Sequence, residues 1–273
     1  MDLFQAIILG VVQGLTEFIP ISSTAHLRIV PALCGWPDPG AAFTAVTQIG
    51  TLVAVLLYFR GDLRRLSAAF LHGIRSRKPF GEPQSRMSWF ILLGTLPIIV
   101  FGLLFKDLIE TEFRSLWVIS GSLILLALLL ALAEFLGRRT RNISNLTALD
   151  IMLIGCAQAL ALIPGSSRSG TTITAGLFLN LQREDAARFS FLLSIPAISL
   201  SGVYQLWQLR ELLVGDFGVH LLVATVVSGI VGYASIEFLL RFLRSHSTTV
   251  FILYRIGLGV LLIVMLSTQI LQP

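Results

Sequence analysis

Twice along this chain an apolar run ends at an Ile-Pro pair and opens into a serine cluster, first at Ile19-Pro20-Ile21-Ser22-Ser23-Thr24 and again at Ile163-Pro164-Gly165-Ser166-Ser167-Arg168. Each break follows a similar pattern, Gly10-Val11-Val12-Gln13-Gly14-Leu15 in the first copy and Gly155-Cys156-Ala157-Gln158-Ala159-Leu160 in the second. The Gly-x-x-Gln-x-Leu segments align at an offset of 145 and the Ile-Pro-x-Ser-Ser segments at 144, so the copies differ by one residue. Backbone freed from a helix finds no water in a bilayer and survives there only where it lines a protein cavity. Two related breaks therefore predict one site, assembled where two repeats meet.

The bilayer enters the argument through composition. Of 273 residues, 55% are hydrophobic and 13% charged, against about 25% charged in a soluble domain. The chain reads as a polytopic membrane protein. Its 20 basic and 15 acidic residues lie scattered between apolar runs, which excludes a nucleic-acid-binding surface. Cys34 and Cys156 lack metal-ligand spacing and read as packing residues. Met1-Asp2-Leu3-Phe4 has no basic leader, so the first apolar run is expected to stay in the mature protein.

Runs long enough to cross the hydrocarbon, at about 20 residues each, cover 41–59, 87–105, 115–133, 189–209, 217–236 and, with Arg255 inside it, 250–270. The remaining apolar pieces, 3–19, 24–34, 151–163 and 169–181, flank the two breaks as re-entrant hairpins do. If each hairpin enters and leaves on one side, the cytoplasmic segments 60–86, 137–150, 182–188 and 241–249 hold 14 of the 20 Lys and Arg, against three (Lys106, Arg114, Arg210) on the opposite face. That asymmetry places both termini outside the cytoplasm. The stretch 72–86, with Pro79, Gly81 and Pro83, reads as a mobile polar loop. The expected fold is an all-α polytopic membrane protein with inverted-topology repeats, six transmembrane helices and two re-entrant helix hairpins. The first repeat covers 1–142, with its hairpin at 3–34 and three spans; the second covers 143–273, with its hairpin at 151–181 and three spans. Three is odd, so the second repeat is inverted and both breaks can meet near the midplane.

Gln13 and Glu17 stand four apart on one helix face. An ionisable group at membrane depth costs on the order of 3 kcal/mol, which favours a functional role. Beside a phosphate, such a carboxylate serves as a metal ligand or as a base. Past Pro20 a restarting helix capped by Ser22, Ser23 or Thr24 aims backbone N–H groups into the turn, as an anion requires. His26 lies within one helical turn of Ser22 and Ser23, a base beside a nucleophile. In the second break, Arg168 sits among Ser166, Ser167, Ser169, Gly170, Thr171 and Thr172, a donor-rich turn suited to an oxyanion. Arg255, the other arginine inside a span, reads as a partner of a carboxylate or of helix carbonyls at least as readily as of substrate, and is left out of the expected substrate contacts.

These residues resemble a family. Gln13-x-x-x-Glu17, Pro20-x-Ser22-Ser23-Thr24-x-His26 and Pro164-Gly165-x-Ser167-Arg168-Ser169-Gly170-x-Thr172 are similar, over nearly the whole chain, to the undecaprenyl-pyrophosphate phosphatases (UppP, also called BacA). The resemblance implies an integral membrane enzyme of the bacterial plasma membrane that removes the terminal phosphate of the C55 lipid carrier in cell-wall synthesis. It also implies bacitracin resistance, a divalent cation (Mg²⁺ or Ca²⁺) and a homodimer. Carried over by position, Glu17, Ser23, His26 and Arg168 are the expected catalytic residues, with Ser23 as nucleophile. Gln13, Ser22, Thr24, Ser167, Ser169, Gly170 and Thr172 are the expected substrate contacts, and Glu17, with Gln13 beside it, the metal ligand. Many members carry a carboxylate at Gln13 and a glycine at Ala25. A metal shared by two carboxylates is therefore not implied for this chain.

The expected reaction is hydrolysis of a polyprenyl pyrophosphate, with its tail along 41–59 and 189–209 and its head group reaching the breaks from outside the cytoplasm. Either Ser23 or an activated water attacks. A lipid-phosphate flippase would use the same midplane architecture, and a non-hydrolytic lipid-binding resistance factor the same anion site. Phosphate release discriminates all three. Another membrane-phosphatase pattern needs a histidine soon after its arginine; here none follows Arg168 before His220.

Overall fold

The structure, a computed structural model, describes residues 1–208, 210 and 215–272. Leu209, the end of the fourth expected span, and Pro273 lie outside the described residues. The described residues form twelve α-helices: α1 Leu3–Phe18, α2 Ser23–Cys34, α3 Gly40–Tyr58, α4 Arg60–Arg75, α5 Pro83–Leu104, α6 Lys106–Glu110, α7 Leu116–Leu136, α8 Ala148–Ala159, α9 Arg168–Phe178, α10 Arg183–Gln208, α11 Asp216–Ser245 and α12 Thr249–Ser267. Six of these, α3, α5, α7, α10, α11 and α12, are long and apolar enough to cross a membrane. Many large apolar side chains on them point outward, among them Leu125, Leu128 and Leu132 on α7 and Leu200 and Val203 on α10. So much apolar surface suits lipid, not water.

Helix ends follow local chemistry. Asp2 and Gln5 form a capping box at α1, Thr147 and Asp150 another at α8. Gly35, at φ 68°, closes α2 in the left-handed conformation. Two helices were not expected, the short α6 and the longer α4. Residues 60–75 read as part of a basic cytoplasmic segment, yet Leu63 and Leu66, three apart, lie on a helix face packed against the core. The loop expected at 72–86 shrinks to 76–82, and Ser85 Oγ donates to Pro79 O at 2.7 Å across it.

The short helix pairs are hairpins. Phe4 at the start of α1 meets the Trp36 ring, just past the end of α2, edge to face at 6.4 Å. Arg141 performs the same closure for α8 and α9, donating to Asp150 at 2.6 Å and to Leu179 O at 3.1 Å. Each hairpin packs its first helix on a long one at a small-residue contact. A Cβ on Gly10 would stand 2.6 Å from Ala224 O on α11, and one on Gly155 would stand 2.6 Å from Gly94 O on α5. The glycine of the shared Gly-x-x-Gln motif is thus explained by close helix approach.

The basic segments gather at one end of the bundle. Arg188 of α10 pairs with Asp62 of α4 at 2.7 Å, Arg244 with Glu184 at 2.8 Å, and Glu134 at the end of α7 collects Arg139, Arg183 and Thr248. At the opposite end Arg114 donates to both oxygens of Asp38, at 2.7 and 2.8 Å. Burial alone would raise the Asp38 pKa; the Arg114 hydrogen bonds hold it below the usual value.

Candidate active site

Both breaks are built alike. The isoleucine before each proline leaves the helical region, Ile19 at ψ 135° and Ile163 at ψ 115°, because a following proline crowds it. The chain then passes through a left-handed serine, Ser22 at φ 77° and Ser167 at φ 68°. That backbone costs a residue with a Cβ on the order of 1–2 kcal/mol. Each strained serine caps the next helix: Ser22 Oγ accepts from Ala25 N at 3.4 Å and Ser167 Oγ from Gly170 N at 3.1 Å. The second copy is one residue shorter than the first between Leu160 and Ile163, and one residue longer inside the turn, at Gly165-Ser166, so the offset of 145 is restored at the capping serines. Gly165 has φ 93°, and a Cβ there would lie 2.0 Å from Ser122 Oγ, so only glycine fits. As a result Ser23 and Arg168 occupy the same position, the first residue of α2 and of α9.

Between these two stands Glu17, in the last turn of α1 and 5% exposed. Its Oε2 accepts from Ser23 Oγ at 2.7 Å and from Gln13 Nε2 at 2.8 Å, with Gln48 Nε2 of α3 at 3.5 Å. Its Oε1 accepts from Arg168 at 2.9 Å. Arg168 also reaches Ser190 O at 3.4 Å. One buried carboxylate therefore joins the hydroxyl of the first break to the guanidinium of the second. Removing either charge would leave the other buried and unpaired, which costs about 3–5 kcal/mol.

The expected Ser23–His26 contact is not what the structure shows. His26 Nδ1 lies 2.7 Å from Ser22 O, its Nε2 lies 2.6 Å from the Tyr254 hydroxyl, and the two rings stack. A carbonyl only accepts, so Nδ1 carries a proton, and Nε2 shares a hydrogen bond with the Tyr254 hydroxyl. The helix start turns Ser23 toward α1 and His26 toward α12. Of the expected substrate contacts, Thr24 Oγ1 lies 3.2 Å from Ser22 Oγ, and Ser167 Oγ 3.2 Å from Ser169 Oγ. Ser169 Oγ also donates to Ile19 O at 3.3 Å, tying turn to turn. Gly170 leaves room for Arg255, whose Nη1 would stand 2.8 Å from a Cβ there. The Thr172 hydroxyl bonds Arg168 O at 2.7 Å and Ser190 Oγ at 2.6 Å, which places it behind the arginine.

Four residues were missed as members of the site. Gln48 was legible as a polar side chain in an apolar span; Ser190 and Tyr254 gave no signal of their own. Arg255 had been set aside as a partner of carbonyls, and carbonyls are what it holds, but they belong to the two turns. Fully buried, it donates to Gly165 O at 3.1 Å and Ser166 O at 3.0 Å, and reaches Pro20 O at 3.4 Å.

A divalent cation finds a limited ligand set. Among the described residues no three His, Cys, Asp or Glu cluster for a metal. Gln13 Oε1, however, is buried without a hydrogen-bond partner beside Glu17. One carboxylate and one idle amide oxygen fit a hard cation that draws its remaining ligands from phosphate and water.

Six candidate spans around a buried acid–arginine–serine cluster define a multi-pass helical membrane protein with a polar site where two hairpins meet. The family model described as "Bacitracin resistance protein BacA" matches residues 6–261. A protein of Chloroherpeton thalassium called undecaprenyl-diphosphatase is 61% identical over 276 residues, covering 98% of each chain. Proteins of the same name from Prosthecochloris aestuarii and Myxococcus xanthus are 56% and 57% identical over all of this chain and over 100% and 92% of their own. The chain belongs to the bacitracin resistance protein BacA family.

Proposed function

We propose that this chain is an undecaprenyl-diphosphatase, an integral membrane hydrolase that converts undecaprenyl pyrophosphate to the monophosphate and inorganic phosphate. In the cell it recycles the lipid carrier of wall synthesis and confers bacitracin resistance. The observation that carries the chemistry is the single Glu17 carboxylate bonded to Ser23 Oγ on one oxygen and to Arg168 on the other. An arriving pyrophosphate competes with Glu17 for Arg168 and takes the bidentate fork. Glu17, relieved of its cation, becomes the stronger base and accepts the Ser23 proton. Ser23 Oγ bonds to the terminal phosphorus as the bond to the bridging oxygen breaks, and the undecaprenyl phosphate departs. Water then attacks the phosphoserine, gives up a proton, and releases phosphate with the serine restored. His26 and Tyr254 form a pair able to relay that proton. Arg168 and the turn N–H groups meet the charge that grows on the phosphoryl oxygens, and Arg255 keeps the two turns in register.

Gln13 and Glu17 are the residues that would hold a divalent cation, Mg²⁺ or Ca²⁺, which would neutralise phosphate charge. Substrate contacts beyond Arg168 are assigned to Gln13, Ser22, Thr24, Ser167, Ser169 and Gly170, with Thr172 steadying the arginine. The tail runs along α3 and α10.

The same reading includes two inverted repeats, 1–142 and 143–273, each with a re-entrant hairpin. It is supported by matching cap geometry, by the closed hairpin ends, and by the parallel packing of α1 on α11 and α8 on α5. The gathering of basic segments at one end supports a plasma-membrane protein with its site open to the extracytoplasmic side and both termini there. A homodimer rests on the family resemblance, and crosslinking in native membranes checks it.

Purified protein in detergent should release phosphate from a long-chain prenyl pyrophosphate, and a chelator should stop it. Binding or transport of the lipid without release would replace the hydrolase by a carrier.

A further inference from the structure

At the end of the bundle that holds the basic segments, α4, α5, α10 and the segment before α8 line an open cavity of about 290 Å³. Three arginines, Arg65, Arg86 and Arg188, line it against one carboxylate, Asp62. Asp62 is shared, lying 2.6 Å from Arg65 and 2.7 Å from Arg188. The Arg86 side chain, half-buried, has no hydrogen-bond or ion-pair partner among the described residues. The cavity thus holds two positive charges in excess, one of them uncommitted. Arg86 also stands in the first turn of α5, where the helix dipole adds positive potential. The remaining wall is apolar, with Leu66, Met87, Phe90 and Leu192.

The cavity lies where α3 ends and α5 and α10 begin, the level of a lipid headgroup. In the stretch that joins its lining residues Leu66 and Pro83, the exposed Leu71 (65%), Ile74 (49%) and Phe80 (53%) are interspersed with Arg75, Arg77 and Lys78. Such a segment lies in the membrane interface and draws anionic lipid. We propose that this cavity binds the headgroup phosphate of an anionic phospholipid, with Arg86 as its principal contact and the upper acyl chain against Met87 and Phe90. A free phosphate would share the arginine chemistry but would leave the apolar wall unused. The proposal is independent of the phosphatase reading, since none of these residues belongs to the Glu17 site.

The test is native mass spectrometry of the full chain in detergent, titrated separately with dioleoyl phosphatidylglycerol, dioleoyl phosphatidylcholine, glycerol 1-phosphate and inorganic phosphate. Phosphatidylglycerol should bind at least tenfold more tightly than phosphatidylcholine, and the two soluble phosphates should not compete at millimolar concentration. Arg86→Gln should remove most of that preference, and Ser144→Glu, a carboxylate introduced on a separate segment of the lining, should weaken it as well. Arg75→Gln, outside the cavity, should leave it intact. Equal binding of the two lipids would overturn the proposal. So would equal losses from Arg86→Gln and Arg75→Gln, which would mean diffuse surface attraction. Competition by inorganic phosphate would make this a soluble-anion site instead. Each variant's melting temperature, read alongside, separates lost binding from lost folding, and Ser144→Glu serves if Arg86→Gln does not fold.

Discussion

Glu17 has three close donors, and the donor it surrenders when a pyrophosphate arrives sets what each substitution does. Ser23→Ala removes the atom that bonds phosphorus, so kcat should fall by several orders of magnitude with lipid binding largely kept. Retention of more than about a tenth of wild-type turnover, under about 1.4 kcal/mol, would end the nucleophile assignment and turn attention to water. Arg168→Lys should weaken substrate binding as well as turnover, because a lysine cannot replace the bidentate fork; steady-state kinetics with a long-chain substrate reads both. Gln13→Glu should keep activity and shift the cation concentration for half-maximal rate, whereas Glu17→Gln should nearly abolish turnover. Equal, mild effects from the two changes would make that pair structural.

At the scale of helices, the close contacts make an unequal prediction for glycines that look alike in sequence. Gly155→Leu should prevent stable folding, because its Cβ would collide with Gly94 O, while Gly121→Leu, with nothing within 4 Å, should be nearly neutral. Thermal unfolding in detergent measures both, and similar melting temperatures would remove the basis for close α5–α8 packing. The spanning helices and the two hairpins were legible as apolar runs because run length and proline position are local properties. The α4 helix was not, because its arginines outweighed two spaced leucines. The Ser23–Glu17 bond was equally hidden. These residues are six apart, but the helical period is lost at Pro20, so spacing pointed to His26 instead. Tyr254 reaches His26 from 228 residues away, a pairing that only the packing of α12 creates.

For the whole molecule, the ion pairs sort the loops into two ends without saying which faces the cytoplasm; the basic excess supplies that sign. A cysteine placed at Pro39 should react with an impermeant reagent in intact cells, and one at Ser76 should react only after lysis. The reverse labelling pattern would invert the orientation. Ser23 and Arg168, one at the head of α2 and the other at the head of α9, carry a further consequence. Two copies of the first half alone would bring together two serines and two carboxylates with no Arg168 to hold a phosphate. Two copies of the second half would bring together two arginines with neither Ser23 nor Glu17. The chemistry is divided between the two breaks, so a substitution at either one is felt through the Glu17 carboxylate by the other.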